Sequence, residues 1–321
     1  MKLINPRVEQ WECGYTLPEI WSHIARCART CYQSEPRSNG ETDEEFVKRV
    51  ILRNHSFEEI AESRELQLKL HLSVLEHGTV YLAIPISFAH DDLHEVADSP
   101  FAKGLRHYVS GHNSFDYITT NMRVIVENGF TDILKYITPP TKYHVLRTTF
   151  NIITDIGVAR ELDRHRSHSI SEESTRFCDY SKDKFDNELT FIKPEWLDIP
   201  EGQYAYWDGD WCDVDKMKIQ IDADKKDVIN EYLWSLYHIE SEYKILINKG
   251  WSPQQARQVL PLSTKVQTIH TAFNDDWEEF IKLRADACSG SVHPNMKRVA
   301  LDIKNNVGTI AKRGGCNHPE T

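Results

Sequence analysis

Several features that would place this 321-residue chain at once are missing from it. No apolar run approaches a membrane span. The longest, Val80-Tyr81-Leu82-Ala83-Ile84-Pro85-Ile86, falls far short of the roughly 20 residues a spanning helix needs. The opening Met1-Lys2-Leu3-Ile4-Asn5-Pro6-Arg7 lacks the apolar stretch of a secretion signal. Cysteine is present as an odd set (Cys13, Cys27, Cys31, Cys178, Cys212, Cys288, Cys316) without a C-x-x-C pair, which gives neither a disulfide framework nor a zinc-site spacing and points to reduced thiols in a cytoplasm. There is no internal repeat and no low-complexity tract. Positive charge is in deficit, with 38 Lys and Arg against 49 Asp and Glu and a net charge of −11. A chain so charged is a poor partner for nucleic acid, where lysines and arginines must neutralise phosphates. It can bind small anions only by gathering its cations in one place.

What is present is a globular composition, with 40% hydrophobic and 10% aromatic residues. Leu17, Ile20, Trp21, Ile24, Ala28 and Cys31 recur at helical spacing, with Pro18 near the start where its missing N–H costs little. Thr42-Asp43-Glu44-Glu45 has the form of a capping box leading a second helix. Glu58 to Lys69 is charged and helix-prone. Thr79 to Ile86 reads as a strand, as does Val145 to Ile153, which feeds a helix over Asp155 to Arg164. Ser181 to Asp224 reads as irregular. Ile229 to Ile247 carries the clearest helical stripe, closed by Lys249-Gly250. Further helices are expected from Ser252-Pro253-Gln254-Gln255 and from Trp277 to Arg284. No linker splits the chain, so 1–321 is read as a single domain with an inserted subregion at about 87–143.

The densest chemistry lies between Arg160 and Phe177. Arg160, Arg164, Arg166 and Arg176 stand there with His165, His168 and several hydroxyls, a set suited to a phosphorylated, hydrogen-bonding ligand. Glu161, Asp163, Glu172 and Glu173 offset the charge, so a solvated surface laced with ion pairs fits the composition equally well. His165-x-x-His168 with Glu173 is a rival zinc reading, opposed by the flanking arginines. Cys178 is the nearest thiol for a covalent route through a cysteine thiolate; a small buried hydrophobe is the simpler reading. Ser174 has no base at fixed spacing to activate it, which favours binding over nucleophilic attack.

The order of these residues adds more. Arg164-His165-Arg166, then seven residues, then Ser174 resembles the R-H-R-x7-S signature of the flavin-dependent thymidylate synthases, the thymidylate synthase complementing protein family. Ser169, Glu172, Ser174 and Arg176 match that pattern. Ala28-Arg29-Thr30-Cys31-Tyr32 resembles the family's A-R-x-C-Y segment. His71-Leu72-Ser73-Val74-Leu75-Glu76-His77 is similar to its H-x-x-x-x-E-H segment, and Ala256-Arg257-Gln258-Val259-Leu260-Pro261 to its A-R-x-V-L-P. Leu283-Arg284 with His293-Pro294 resembles its last helix. The resemblance implies an α+β fold with a twisted, mainly antiparallel sheet flanked by helices, and a homotetramer with active sites shared between subunits. It also implies transfer of a one-carbon unit from methylenetetrahydrofolate to C5 of dUMP, with FAD as cofactor and NADPH as reductant. Carried over by position, Arg164, Ser174 and Arg284 are the expected catalytic residues. Glu161, Glu172, Arg176 and Arg257 join those three in holding dUMP. His71, Arg164, His165 and Arg166 are the expected FAD contacts, His71 from another subunit. No metal is implied.

The chain also departs from the pattern. Ser171 replaces a common Asn and Phe177 a common Tyr. Phe273-Asn274-Asp275 stands where many members carry Asn-x-Arg against the flavin, and Asp275 there would repel a diphosphate. The 87–143 region is similar to an extension in long-form members. Two rival functions share the same landmarks: transfer of another one-carbon group such as hydroxymethyl to a pyrimidine nucleotide, and a non-catalytic nucleotide- or RNA-binding paralogue.

Overall fold

The twelve strands among the described residues are β1 (Lys2–Ile4), β2 (Arg7–Trp11), β3 (Thr79–Pro85), β4 (Lys103–His107), β5 (Phe115–Asn121), β6 (Arg147–Asp155), β7 (Ser169–Glu172), β8 (Thr190–Ile192), β9 (Gly202–Gln203), β10 (Ala205–Trp207), β11 (Asp210–Cys212) and β12 (Lys265–Phe273). They come from a computed structural model that describes the chain apart from residues 37–38, 86–95, 97–98, 108–113, 208–209, 213–225, 289 and 314–321. The helices are α1 (Leu17–Tyr32), α2 (Asp43–Val50), α3 (Phe57–Glu62), α4 (Arg64–Lys69), α5 (Met122–Asn128), α6 (Ile156–Leu162), α7 (Lys226–Asn248), α8 (Pro253–Ala256), α9 (Asn274–Arg284) and α10 (Pro294–Arg313).

The centre is a four-stranded antiparallel sheet in the order β2-β6-β12-β7. Its long pair, β6 with β12, runs in register from Asp155 opposite Lys265 to Arg147 opposite Phe273. Both strands are rich in Thr and β-branched or aromatic residues, which suit a pleated surface buried on two sides. Phe150 and Ile152 of β6 and Ala272 of β12 face a core shared with α6, α9 and α10, where Trp277, Phe280, Met296 and Ile303 are buried. Ile269 of β12 faces the opposite way, into a core built by α1, α2, β3, β5 and α5. A third core surrounds β1, β8 and α7, with Leu3, Phe191, Trp211 and Tyr243 buried in it. β3, β5 and β4 form a second antiparallel sheet. Only β1 with β8 pairs in parallel among the described ladders. The expected α+β class with a mainly antiparallel sheet flanked by helices is thus observed. No helix among the described residues is long and apolar enough to cross a membrane.

Several element boundaries move from their sequence expectations, each for a local reason. The strand expected over Val145 to Ile153 runs two residues later, because its ladder with β12 continues to Asp155. The Asp155 side chain then accepts the Val158 N–H at 2.7 Å and starts α6. That helix stops at Leu162 and leaves Arg164 in a turn. The helix-prone stretch to Lys69 breaks at Ser63, whose hydroxyl caps α4 by accepting the Leu66 N–H. The helix expected from Ser252 is a single turn, and Ile86 lies outside the described residues. Within 181–224, read as irregular, the described residues form four short strands. The described part of 87–143 contributes Ile118, Met122, Ile125 and Phe130 to the first core.

Candidate active site

The last turn of α6 presents Arg160 and Glu161 beside the central sheet. Past Leu162 the chain folds into consecutive turns, with the His165 N–H donating to Leu162 O and the His168 N–H to His165 O, each at 3.0 Å. Arg164 and Arg166 are left exposed, and neither makes an ion pair among the described residues. His165 and His168, three residues apart, are turned inward. His165 packs edge-on to Phe280, and His168 lies 4.3 Å from the Trp277 ring. Burial, then Arg284, pushes the His165 imidazole down to about 4. It is therefore neutral near pH 7, and its Nε2 accepts from Arg284 Nε at 3.3 Å, which leaves the proton on Nδ1. His168 is pushed to about 2 by burial and by His270, whose Nδ1 is 3.3 Å from its own. Among the described residues no group of three His, Cys, Asp or Glu side chains is arranged to hold a metal.

Arg284, at the end of α9, also donates from Nη1 to Glu161 Oε2 at 3.3 Å. One guanidinium thus bridges the helix before the signature turn and the histidine within it. Glu161 further lines a cavity of about 370 Å³ with Tyr232, Leu262, His293 and the exposed Trp196.

A second cluster follows β7. That strand ends at Glu172, and the chain is then tied down from both sides: the Glu173 N–H donates to Gln267 O at 2.8 Å and the Ser174 N–H to Cys31 O at 2.9 Å. Beneath the turn the buried Glu173 carboxylate accepts from Lys265 Nζ at 2.6 Å and from the Tyr180 hydroxyl at 3.0 Å. Ser174 Oγ accepts the Arg176 N–H at 3.3 Å, closing a compact turn. Arg257 Nη1 donates to Thr175 Oγ1 at 3.2 Å, and Arg176 Nη2 meets Gln254 Oε1 at 3.5 Å. Two arginines from segments about 80 residues apart in sequence therefore flank one hydroxyl-rich turn. Thr175 and Gln254 are members of this cluster that the sequence reading did not single out. Thr175 was signalled only by its place between Ser174 and Arg176.

Glu172 lies between the clusters, half-buried. Burial first, then the charges of Asp163 and Glu173, raises its carboxyl to about 7, against a smaller opposing effect of Arg160. Cys178 is fully buried, and burial followed by Glu173 pushes its thiol up to about 11, so it is a packed hydrophobe and not an activated thiolate. His71 is exposed at the start of the short 3-10 turn Leu72–His77 and makes no hydrogen bond or ion pair with the other site residues of its own chain. Asp275, set against a diphosphate by the sequence, is ion-paired with Lys103 of β4, whose ammonium also lies 4.4 Å from the Phe273 ring. Its charge is therefore compensated within the protein.

The structure thus brings Glu161, His165 and Arg284 into one group and Ser174, Arg176 and Arg257 into another. Arg164 and Arg166 stand exposed beside the first, Glu172 lies between the two, and His71 is apart. A family model described as thymidylate synthase complementing protein matches residues 135–311, over half of the chain and all of these positions except His71. No curated protein sequence matches with significance. Crystal structures of PolB, a UMP/dUMP methylase from Streptomyces cacaoi, are similar in the complexes with 5-Br UMP and 5-Br dUMP. Identities are 15% and 16% and TM-scores 0.42 and 0.41, over 96% of this chain and 92% and 93% of theirs.

Proposed function

Because the chain belongs to the thymidylate synthase complementing protein family, we infer that it transfers a one-carbon unit from methylenetetrahydrofolate to C5 of dUMP. The reaction balances as dUMP, methylenetetrahydrofolate, NADPH and a proton giving dTMP, tetrahydrofolate and NADP⁺. The observation that carries the reading is the pairing of the two clusters: a hydroxyl-rich turn flanked by Arg176 and Arg257, and a guanidinium, Arg284, held by Glu161 and His165.

Arg176 and Arg257 grip the dUMP phosphate, and Ser174 and Thr175 fill acceptor positions that the guanidinium forks leave open. Arg284 meets the pyrimidine edge, where negative charge gathers as C5 becomes nucleophilic. Because its own partners already fix its direction, it stabilises that charge with little reorganisation. Glu161 orients Arg284, and neutral His165 accepts from it without adding a competing positive charge. Glu172 borders the nucleotide between the clusters.

For FAD, the donor set fits. Arg164 and Arg166 are exposed guanidiniums with no ion pair among the described residues, as a diphosphate and a flavin edge require, and His165 stands between them in sequence. Compensation of Asp275 by Lys103 removes the repulsion expected there. Bound FAD would supply the redox step that takes the one-carbon unit from methylene to methyl, with NADPH as the electron source. Arg164 would contact both the nucleotide and the flavin, and holding the two together would turn encounter into ordered transfer. The exposure of His71, apart from its own chain's site, supports a role in a neighbouring subunit's site within a homotetramer.

The test is incubation of the purified protein with dUMP, methylenetetrahydrofolate, FAD and NADPH, followed by mass identification of the nucleotide. A product 14 mass units heavier than dUMP, the mass of an added CH₂, is expected, and Arg164→Ala should remove it without lowering the melting temperature. A product carrying an added hydroxymethyl group would shift the reading to the related transfer. Absence of any product, together with no flavin binding, would overturn it.

A further inference from the structure

β7 carries the chain into the nucleotide cluster, yet little apolar burial holds it. It is four residues long, lies at the edge of the sheet and, among the described strands, pairs only with β12. Its two buried side chains are Ser169 and Ser171, which offer hydroxyls where a strand ordinarily offers Val or Ile. The hydrophobic pattern that fixes register elsewhere is weak here.

Polar groups take its place. Arg147 Nη2 donates to Ser169 Oγ at 3.2 Å, while Nη1 of the same guanidinium reaches Glu76 O at 3.1 Å and Thr79 Oγ1 at 3.2 Å. His77, fully buried, spans the gap between two strands: Nε2 is 3.0 Å from Ser171 Oγ and Nδ1 is 2.8 Å from Thr271 Oγ1 of β12. The Thr271 hydroxyl lies 2.7 Å from that of Thr149, which is 3.3 Å from His23 Nε2. A neutral imidazole has one donor and one acceptor, so His77 ties Ser171 and Thr271 into one chain of hydrogen bonds with a single direction.

We propose that His77 is a positioning residue that, through Ser171, fixes the register of β7 and so sets Glu172 and Ser174 at the nucleotide site. The role rests on the dUMP reading only for the identity of the ligand. Because His77 closes the Leu72–His77 turn that begins at the exposed His71, the same short segment ties the expected flavin contact to the strand that carries the nucleotide contacts.

The two ring nitrogens can be replaced separately. An asparagine amide falls near Nδ1, so His77→Asn keeps the Thr271 link and drops Ser171. A glutamine amide falls near Nε2, so His77→Gln does the reverse. In the 321-residue chain, backbone hydrogen exchange across residues 169–176 should quicken about fivefold or more in His77→Asn and remain near wild type in His77→Gln, as expected for one lost buried hydrogen bond. Calorimetric dUMP affinity should fall by a similar factor in His77→Asn alone, and adding Ser171→Ala to that variant should cost nothing further. Ser171→Ala by itself, a smaller change, should reproduce the asparagine phenotype should either histidine variant fail to fold. Equal exchange in the two histidine variants, or wild-type exchange in Ser171→Ala, overturns the proposal. If the wild-type protein does not bind dUMP, the nucleotide reading fails, and the exchange comparison still decides the role of His77.

Discussion

Arg284 and Glu161 lie 123 positions apart in sequence and 3.3 Å apart in space. Neither is deeply buried, at 25% and 35% side-chain exposure, so the pair contributes little to stability. Its value lies in direction. The carboxylate and the neutral His165 together leave the guanidinium few orientations. Glu161→Gln keeps the shape and removes the charge. We expect dUMP affinity to fall roughly threefold to tenfold, as for about 1 kcal/mol of lost interaction, with melting temperature nearly unchanged. Unchanged affinity by titration calorimetry would show that Arg284 needs no such guide.

Arg176 and Arg257 make a sharper test, because a phosphate grip must discriminate by phosphate. Arg257→Ala should weaken dUMP binding by about tenfold or more, the scale of a charge-assisted hydrogen bond. It should leave the weaker binding of deoxyuridine almost unaffected. Arg176→Ala should behave alike, and the loss should shrink as salt rises. Equal losses for nucleotide and nucleoside would move the phosphate elsewhere.

Much of the fold can be read from residue order. The apolar stripe of α1, with Pro18 at its start, and the Thr42 capping box of α2 are local signals, and the structure repeats them. The end of α6 is less legible, because the turn through Arg164 is fixed by packing of His165 and His168 on Phe280 and Trp277, more than 100 residues downstream. The site divides in the same way. Composition allows the run from Arg160 to Phe177 to be a surface of ion pairs; only the resemblance separates that reading from a ligand site, and among the described residues Arg164 and Arg166 make no ion pair. The pairing of Arg257 with Thr175 and of Lys103 with Asp275 is long-range, and nothing in either local sequence announces it.

Glu172 gives a pH prediction with a definite sign. Burial and then the neighbouring carboxylates of Asp163 and Glu173 raise its folded value to about 7, from an ordinary 4.5. Between those values the folded protein holds a proton that the unfolded chain has released. This contribution to stability is therefore complete below pH 4.5 and is lost as pH rises through about 7. Glu172→Gln mimics the protonated form at every pH. The variant should match wild type near pH 4.5, become progressively more stable relative to it up to about pH 7, and hold that margin above. Melting curves across this range decide it, and a constant difference between the two proteins would mean that Glu172 titrates normally.

Lys103 and Asp275 connect the second sheet to the first turn of α9, where Asp276 adds another carboxylate. Acidic residues suit a helix N-terminus, but a diphosphate bound nearby would meet both. Burial raises the Asp276 carboxyl, and Lys103 acts against that shift, so the ammonium serves both aspartates. Lys103→Gln should therefore weaken FAD binding several-fold at low ionic strength, followed by quenching of flavin fluorescence, and the deficit should narrow as salt screens the exposed Asp275. Adding Asp275→Asn should restore most of the affinity, because the double variant removes the charge that the lysine had balanced. Failure of that restoration would show that Lys103 acts by contact with the flavin or by packing on Phe273, and not by neutralising Asp275.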